Sequence, residues 1–179
     1  MKWYALSVET GCEEIVRAII RRDFDPSILH AIVPKRRLCE KKQGHIHYVV
    51  KTMFPGYLLI RTAMNTKTYY KLREVPKVYS ILNNSQIQRK IYCSDDIVSI
   101  SNIPEEEVSI LFQLLDRNHI INLSGAIVIN SRVQVKCGPL KGMEGIIRKV
   151  DKRKNRAKIS LSFLGSERLI DVGLEILQQ

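Results

Sequence analysis

The stretch of sequence that decides the fold is residues 54–61, which read Phe54-Pro55-Gly56-Tyr57-Leu58-Leu59-Ile60-Arg61. Its run from Tyr57 to Ile60 is apolar without interruption, which is typical of a central strand that is buried on both faces of a sheet. Residues 31–38 and 47–51 precede this run and flank a charged segment that contains Gly44. We therefore predict an antiparallel hairpin over residues 32–62, whose second arm continues into the central strand.

The sequence on both sides of this hairpin predicts a domain that mixes helices and strands. Residues 3–8 are aromatic and β-branched, as in a strand. Thr10 and Glu13 have the spacing of a capping box, which predicts an amphipathic helix that ends near Arg22. Downstream, we predict a helix over 66–73, a strand over 78–82 and an extended segment over 97–100. Pro104 and the three acidic residues after it predict the start of a last helix, because acids stabilise the positive helix end.

The pattern changes from Gly125 onward, where short strands replace the helices. Residues 133–136 and 157–163 alternate between apolar and polar side chains, and residues 169–172 suggest one more strand. Several short strands within about fifty residues favour a small barrel, since closure removes exposed sheet edges.

We therefore predict an α+β chain with two domains. The first is an antiparallel sheet with flanking helices over residues 1–117, and the second is a β-barrel over residues 126–179. Residues 118–125 are the predicted linker.

The charge of the chain is strongly positive and unevenly distributed. The net charge is +11 and the isoelectric point is about 9.6. Residues 1–90 carry 17 Lys and Arg against 7 Asp and Glu, residues 91–125 carry 1 against 6, and residues 126–179 carry 11 against 5. Two basic blocks separated by an acidic one indicate surfaces that face a polyanion, although solubility alone is the alternative explanation.

Two short runs hold most of the clustered basic residues. Seven Lys or Arg lie within the eleven residues 148–158, where they repel one another unless an anion is near. We predict that nucleic acid binds at least one of the two runs, and the alternative is a solvated turn. The candidate residues are Lys35, Arg36, Arg37, Lys41 and Lys42 in the first run, and Arg148, Lys149, Lys152, Arg153, Lys154, Arg156 and Lys158 in the second.

The sequence does not predict an enzyme, a metal site or a cofactor. No phosphate-binding glycine loop or HExxH pattern is present, and no histidine has a recognisable catalytic partner. Cys39, His45 and His47 lie near one another in the sequence, but a fourth zinc ligand is not evident. The four cysteines are scattered, which argues against a disulfide framework. The apolar runs are too short for a membrane helix, so we expect a cytoplasmic protein without membrane contact.

Five segments in order resemble the NusG family of transcription factors. They are Trp3-Tyr4, the Phe54-Pro55-Gly56-Tyr57-Leu58 stretch, Val75-Pro76-Lys77-Val78, residues 103–108 and residues 133–145. The last of these resembles a KOW motif, which marks an SH3-like barrel. The resemblance covers nearly the whole chain, and it implies a NusG amino-terminal α/β sandwich followed by a KOW barrel.

The resemblance also implies partners. In the family the first domain binds the clamp helices of bacterial RNA polymerase through an apolar surface near the Pro-Gly-Tyr segment. The residues implied here are Trp3, Tyr4, Phe54, Pro55, Gly56 and Tyr57, although Trp3 and Tyr57 are equally suited to the core. The family's barrel contacts ribosomal protein S10 or Rho, and Phe163 stands at the corresponding place. The residues after Phe163 depart from the family's Phe-Gly-Arg pattern, which weakens that implication.

The basic character resembles one specialised subfamily, LoaP, which acts in antitermination guided by an RNA hairpin. We therefore expect an operon-specific, monomeric antitermination factor that binds polymerase and a hairpin in the nascent transcript leader. The alternatives are a general elongation factor without RNA preference, a DNA-recruited paralogue similar to RfaH, and a ribosome-associated module. The barrel segment has β patterning throughout, so we do not predict a helical autoinhibited form.

Overall fold

The computed structural model describes residues 1–82, 89–93, 96–129 and 132–177. In chain order its elements are β1 (Lys2–Val8), α1 (Glu13–Asp23), β2 (Leu29–Ile32), β3 (Lys35–Lys42), β4 (His45–Thr52), β5 (Tyr57–Thr62), α2 (Thr66–Arg73), β6 (Val78–Ile81), β7 (Arg89–Cys93), β8 (Asp96–Ile100), α3 (Glu105–Leu114), β9 (Ile120–Ile121), β10 (Ser124–Ile129), β11 (Arg132–Cys137), a 3-10 turn (Glu144–Ile146), β12 (Ile147–Asp151), β13 (Arg156–Phe163) and β14 (Ser166–Ile176). Within these ranges, no helix is both long enough and apolar enough to cross a membrane.

The chain divides into two compact units. Unit 1 consists of Met1–Val33 and Phe54–Val108, and unit 2 consists of Pro34–Met53 and Ser109–Gln179. Unit 1 contains a four-stranded sheet with the strand order β2-β5-β1-β6. Unit 2 contains the β3–β4 hairpin and a five-stranded sheet with the order β11-β10-β14-β13-β12.

Strand β5 lies in the interior of the unit 1 sheet, between β1 and β2, and it is antiparallel to both. Leu58, Leu59 and Ile60 are all buried, so side chains on both faces of this strand lie in the interior. The prediction of a central strand at this place is therefore confirmed. Burying three such side chains contributes roughly 5 to 9 kcal/mol of hydrophobic free energy.

One face of this sheet packs against apolar side chains of α1 and α2. The helical contributions to the cluster come from Val16, Ile20 and Leu72, which meet Tyr4 and Leu6 of β1. Helix α2 begins and ends where the sequence predicts, and its first turn is capped by the Asn65 side chain, which accepts from the Thr68 N–H at 2.9 Å.

The predicted capping box at Thr10 is wrong, because α1 begins only at Glu13 and its preceding residue makes no side-chain cap. The Glu13 carboxylate is buried and accepts hydrogen bonds from the Gly11 N–H at 3.2 Å and the Gly56 N–H at 2.7 Å. The acid therefore fixes the Pro-Gly turn before β5, instead of capping its own helix from the third position.

The β3–β4 hairpin turns at Gln43 and Gly44, whose φ angles of 51° and 81° are both positive. Two consecutive residues in this region form the tight turn that suits the right-handed twist of paired strands. The two arms of the predicted hairpin over residues 32–62 pair in antiparallel, β2 with β5 and β3 with β4, so the predicted pairing is confirmed. The ladder is interrupted at Pro34, which has no N–H to donate, although its carbonyl oxygen accepts from the Met53 N–H at 2.8 Å.

The five-stranded sheet of unit 2 curls around its own apolar core. Strands β12, β13 and β14 form an antiparallel meander, and β10 joins β14 in parallel. The core contains alternate residues of β13 and β14, including Ala157, Ile159, Leu161 and Val172. This arrangement fits the predicted SH3-like barrel, and the predicted α+β class is confirmed.

Candidate nucleic-acid interface

The β3–β4 hairpin lies against the barrel within unit 2. Arg36 Nη1 donates to the carbonyl oxygen of Asp171 at 2.7 Å, and Tyr48 Oη donates to Glu175 Oε1 at 2.9 Å. The approach is close at Gly173, where an added Cβ would lie 2.8 Å from the Arg37 carbonyl oxygen. The two basic runs, which are separated by more than a hundred residues in the sequence, are therefore neighbours in this unit.

A cleft of about 820 Å³ lies where the hairpin faces the turn between β12 and β13. Its residues come from β3 on one side and from this turn on the other. Across it, Asn155 Nδ2 lies 3.9 Å from Cys39 Sγ. The lining residues are Cys39, Glu40, Lys41, Asp151, Arg153, Lys154, Asn155 and Arg156.

Two arginines at this contact are half-buried and engaged with protein atoms. Arg156 Nη2 lies 3.5 Å from Glu40 Oε1, and the same carboxylate oxygen pairs with Lys51 Nζ at 2.5 Å. Burial lowers the pKa of the Arg36 guanidinium, Asp171 raises it, and the positive charge of Arg156 lowers it further. The Nε atoms of Arg36 and Arg156 are buried without a hydrogen-bond partner. Each of these guanidinium groups thus keeps one buried N–H group without an acceptor among the described residues.

The turn between β12 and β13 holds its basic residues out toward solvent. The Asp151 carboxylate accepts from the Lys154 N–H at 3.0 Å, and Asn155 has a φ of 50°. Asparagine tolerates this left-handed conformation better than most residues, so the sequence favours a tight turn here. Lys152, Arg153 and Lys154 are exposed at its tip.

Six of the twelve predicted nucleic-acid residues are exposed cations that form no ion pair with any described residue. Arg148 instead lies 3.6 Å from Glu167, and Lys158 lies 3.8 Å from Asp171. Lys35, Arg36 and Arg37 are half-buried on β3. The six exposed cations are Lys41, Lys42, Lys149, Lys152, Arg153 and Lys154. Within the two runs, these six side chains are the ones free to meet phosphates.

The residues implied for polymerase binding lie in unit 1 at very different depths. Tyr4 and Phe54 are only 6% and 7% exposed, and Gly56 is also buried. Gly56 has a φ of 81°, and an added Cβ would meet Thr10 Oγ1 at 3.0 Å. Tyr4 and Phe54 therefore have little side-chain surface to offer a partner, and their binding role stays a prediction.

Three further residues of interest differ in the surface that they present. Trp3 and Tyr57 are half-buried in unit 1, and Pro55 is exposed beside them in the sequence. Among the six residues implied for polymerase binding, the exposed surface thus comes from Pro55 and from the open parts of Trp3 and Tyr57, and its binding role stays a prediction. In unit 2, Phe163 is 3% exposed and belongs to the barrel core. Its predicted contact with a ribosomal protein remains a prediction.

Sequence reasoning did not single out Tyr48, although this tyrosine stands beside the cleft. It lies directly across from Cys39 in the hairpin register and is 57% exposed. Ile46, Tyr48 and Val50 alternate with other residues along one strand, and this pattern could have drawn attention to Tyr48. Such alternation usually indicates a strand face that is buried, however, so it did not predict an exposed tyrosine. Here all three side chains are exposed.

Comparisons with known proteins agree with this architecture. A chain 27% identical over 176 residues is the transcription termination/antitermination protein NusG of Rickettsia prowazekii, where the match covers 96% of this chain and 86% of the relative. The protein of the same name from Staphylococcus aureus is 21% identical over 183 residues, covering 99% and 95% of the two chains.

A solved structure, described as domain interaction in Thermotoga maritima NusG, has a TM-score of 0.52 at 17% identity, and it covers 97% of this chain and 93% of its own. This likeness shows the fold. The family model described as transcription termination factor nusG matches residues 1–112. The match extends over more than half of the sequence, and the chain therefore belongs to the NusG family.

Proposed function

We propose that this protein is an operon-specific transcription antitermination factor that binds RNA polymerase and a hairpin in the nascent transcript leader. The observation that carries the proposal is the meeting of two basic runs on unit 2, which leaves six exposed cations without an ion pair among the described residues. The relatives named as transcription termination/antitermination proteins support the transcriptional setting. The protein is expected to act as a monomer in the cytoplasm.

The polymerase contact is assigned to the amino-terminal domain, residues 1–117, with residues 118–125 as a linker to the barrel of residues 126–179. In this proposal the clamp helices meet the apolar surface at Pro55, Trp3 and Tyr57. The exposure of Pro55 and the partial exposure of the two aromatic side chains support this assignment.

In the proposed RNA contact, electrostatic attraction contributes most of the binding free energy. Each phosphate that meets a Lys or Arg releases condensed counterions, so affinity falls steeply with salt. An RNA hairpin offers phosphates along its stem and unpaired bases in its loop, which is where sequence preference arises. Holding RNA and polymerase at once makes two weak contacts act together, because the second binding step becomes intramolecular.

A general elongation factor without RNA preference is the second candidate function. The names of the relatives favour it, since they carry no reference to particular operons. In that case the six cations contact nucleic-acid phosphates in the elongation complex without sequence preference. Recruitment by a DNA element is a further alternative that leaves the same cations in use.

The test is selection of RNA from a random pool by the purified protein at moderate salt, followed by sequencing of the retained molecules. The proposed function predicts enrichment of one hairpin. It also predicts that Lys152→Glu with Arg153→Glu removes that enrichment, whereas Lys2→Glu with Lys67→Glu, an equal charge change on exposed residues of unit 1, leaves it intact. Retention of RNA without any common structure would point to the general factor instead.

A further inference from the structure

Strand β4 carries exposed apolar side chains that no other part of the described chain covers fully. Ile46, Tyr48 and Val50 alternate along the strand, so they project from the same face of the hairpin. All three are exposed, and Tyr48 is 57% exposed. An open tyrosine with apolar neighbours on a strongly basic unit is a feature of surfaces that stack bases.

Tyr48 is held in place at the cleft. It faces Cys39 across the hairpin register, and Cys39 lines the cleft. Its hydroxyl donates to Glu175 Oε1 at 2.9 Å, and this bond, then the charge of Glu175, raises the pKa of the Tyr48 phenol. The phenol is therefore a neutral donor anchored at one end, while much of the side chain stays open to solvent. Such an anchored ring loses little conformational entropy when a planar group stacks on it.

The cleft that Cys39, the register partner of Tyr48, helps to line also holds cations. Lys41, Arg153 and Lys154 line it and form no ion pair with a described residue. The carboxylate of Glu40 is already shared between Lys51 and Arg156, so its negative charge is largely balanced. The volume of about 820 Å³ lies within the range of sites that take small organic ligands and exceeds the needs of one phosphate.

An aromatic ring beside a row of cations matches unpaired nucleotides better than a duplex. In a stem the bases are stacked on one another and only phosphates and sugars face outward, so an aromatic ring finds no partner. In a loop or bulge a base is free to stack on a side chain while its phosphates meet Lys and Arg.

We propose that the cleft between the hairpin and the β12–β13 turn binds an unpaired ribonucleotide, with its base on Tyr48 and its phosphates at Lys41, Arg153 and Lys154. This inference rests on the proposed function, to which it adds the part of the RNA that is recognised. It assigns loop or bulge recognition to a composite of the two basic runs, instead of to either run alone.

The test measures binding by fluorescence anisotropy with three labelled RNA probes. These are a stem closed by a random-sequence loop, the same stem with blunt ends and no loop, and a random single strand of the loop's length. Tyr48→Ala is expected to weaken binding of the looped and single-stranded probes by about 5- to 100-fold, as for loss of one base–aromatic stack, and to leave the blunt stem unchanged. Tyr48→Phe keeps the ring and should stay close to the original protein.

Tyr79→Ala is the matched control, since Tyr79 is 66% exposed in unit 1. It should leave all three affinities unchanged. Equal loss in Tyr48→Ala and Tyr79→Ala, or equal affinity of Tyr48→Ala and the original protein for the looped probe, overturns the inference while RNA binding itself stands. Failure of the unaltered protein to bind any RNA overturns the proposed function as well. A single-stranded DNA probe that binds as tightly as the RNA strand overturns the assignment to RNA.

A second measurement needs no variant. The looped probe carries 5-iodouridine in its loop and is irradiated with the unaltered protein, and the cross-linked peptides are identified by mass spectrometry. The expected cross-link falls on the peptide that contains Tyr48. Cross-links confined to unit 1 peptides would contradict the inference.

Discussion

At the scale of single residues, Gly56 and Glu13 set the path of the chain before the central strand. The Glu13 carboxylate accepts from the Gly56 N–H, and the Gly56 carbonyl oxygen accepts from the Val8 N–H at 2.9 Å. The Pro-Gly turn is thus tied both to the start of α1 and to the end of β1. A glycine is required because φ at this position is 81°.

Gly56→Ala should lower the free energy of unfolding by roughly 1 to 3 kcal/mol, because alanine disfavours this φ and its Cβ would meet Thr10 Oγ1 at 3.0 Å. The measurement is urea unfolding followed by circular dichroism. Gly11→Ala is the matched control, since Gly11 also has a positive φ but open space around its Cβ position. The contact with Thr10 predicts the larger loss for Gly56→Ala. Equal losses in the two variants would show that the contact is unimportant.

At the scale of elements, Asp116 organises the segment between α3 and β9. Its carboxylate accepts from the Asn118 N–H at 2.8 Å, the Ile120 N–H at 2.9 Å and Asn122 Nδ2 at 2.7 Å. This loop leads into β9, which pairs in parallel with β3 of the hairpin. The carboxylate therefore helps to place the strand that flanks the basic hairpin.

Desolvation raises the pKa of Asp116, but the hydrogen bonds from Ile120, Asn122 and Asn118 outweigh it, and the pKa is lowered overall. A lowered folded-state pKa contributes stability above the ordinary value of 3.8, and this contribution is lost as pH falls through the folded-state pKa. Asp116→Asn should therefore be less stable than the original protein near neutral pH by about 1 kcal/mol. The gap should close below about pH 4, as measured by thermal unfolding across pH. A gap that stays constant on acidification would contradict this account.

The sequence predicted those elements that a local pattern of residues determines. It predicted less well those elements whose bounds depend on contacts with distant residues. The apolar run of residues 57–60 gave the position of β5, and the alternation in 157–163 gave β13. The start of α1 was wrong, because Glu13 bonds to Gly56 across 43 residues and no local pattern carries that information. The hairpin turn at Gly44 and the pairing of its arms were correct, whereas the division of the arms between two sheets at Pro34 was not predicted.

The sequence predicted the two basic runs of the candidate site, but it did not predict that they lie next to each other in the fold. Both basic runs stand out in the sequence, but their meeting depends on hydrogen bonds such as Arg36 to Asp171, which spans 135 residues. The half-burial of Arg36 and the exposure of Tyr48 follow from that packing. Counting charges along the sequence therefore gave Arg36 too much weight as a nucleic-acid contact and did not identify Tyr48. Reasoning from the Pro-Gly-Tyr resemblance likewise could not tell that Phe54 is buried and Pro55 exposed.

At the scale of the whole molecule, we propose that one domain binds polymerase and that the basic unit captures RNA. Net charge of +11 by itself gives only salt-dependent affinity for any polyanion. In the proposed function, selectivity for an operon comes from a feature of the transcript that the protein holds while it is bound to polymerase. We therefore expect the protein to change termination when its RNA element is present in the transcript.

The most direct measurement is terminator readthrough by purified bacterial RNA polymerase on two templates. They differ only in whether the leader encodes the hairpin enriched from the random pool. We expect the protein to raise readthrough on the template with the hairpin, and Lys152→Glu with Arg153→Glu to abolish this rise. Equal readthrough on both templates would contradict RNA-guided antitermination, and an equal rise on both would favour a general elongation factor.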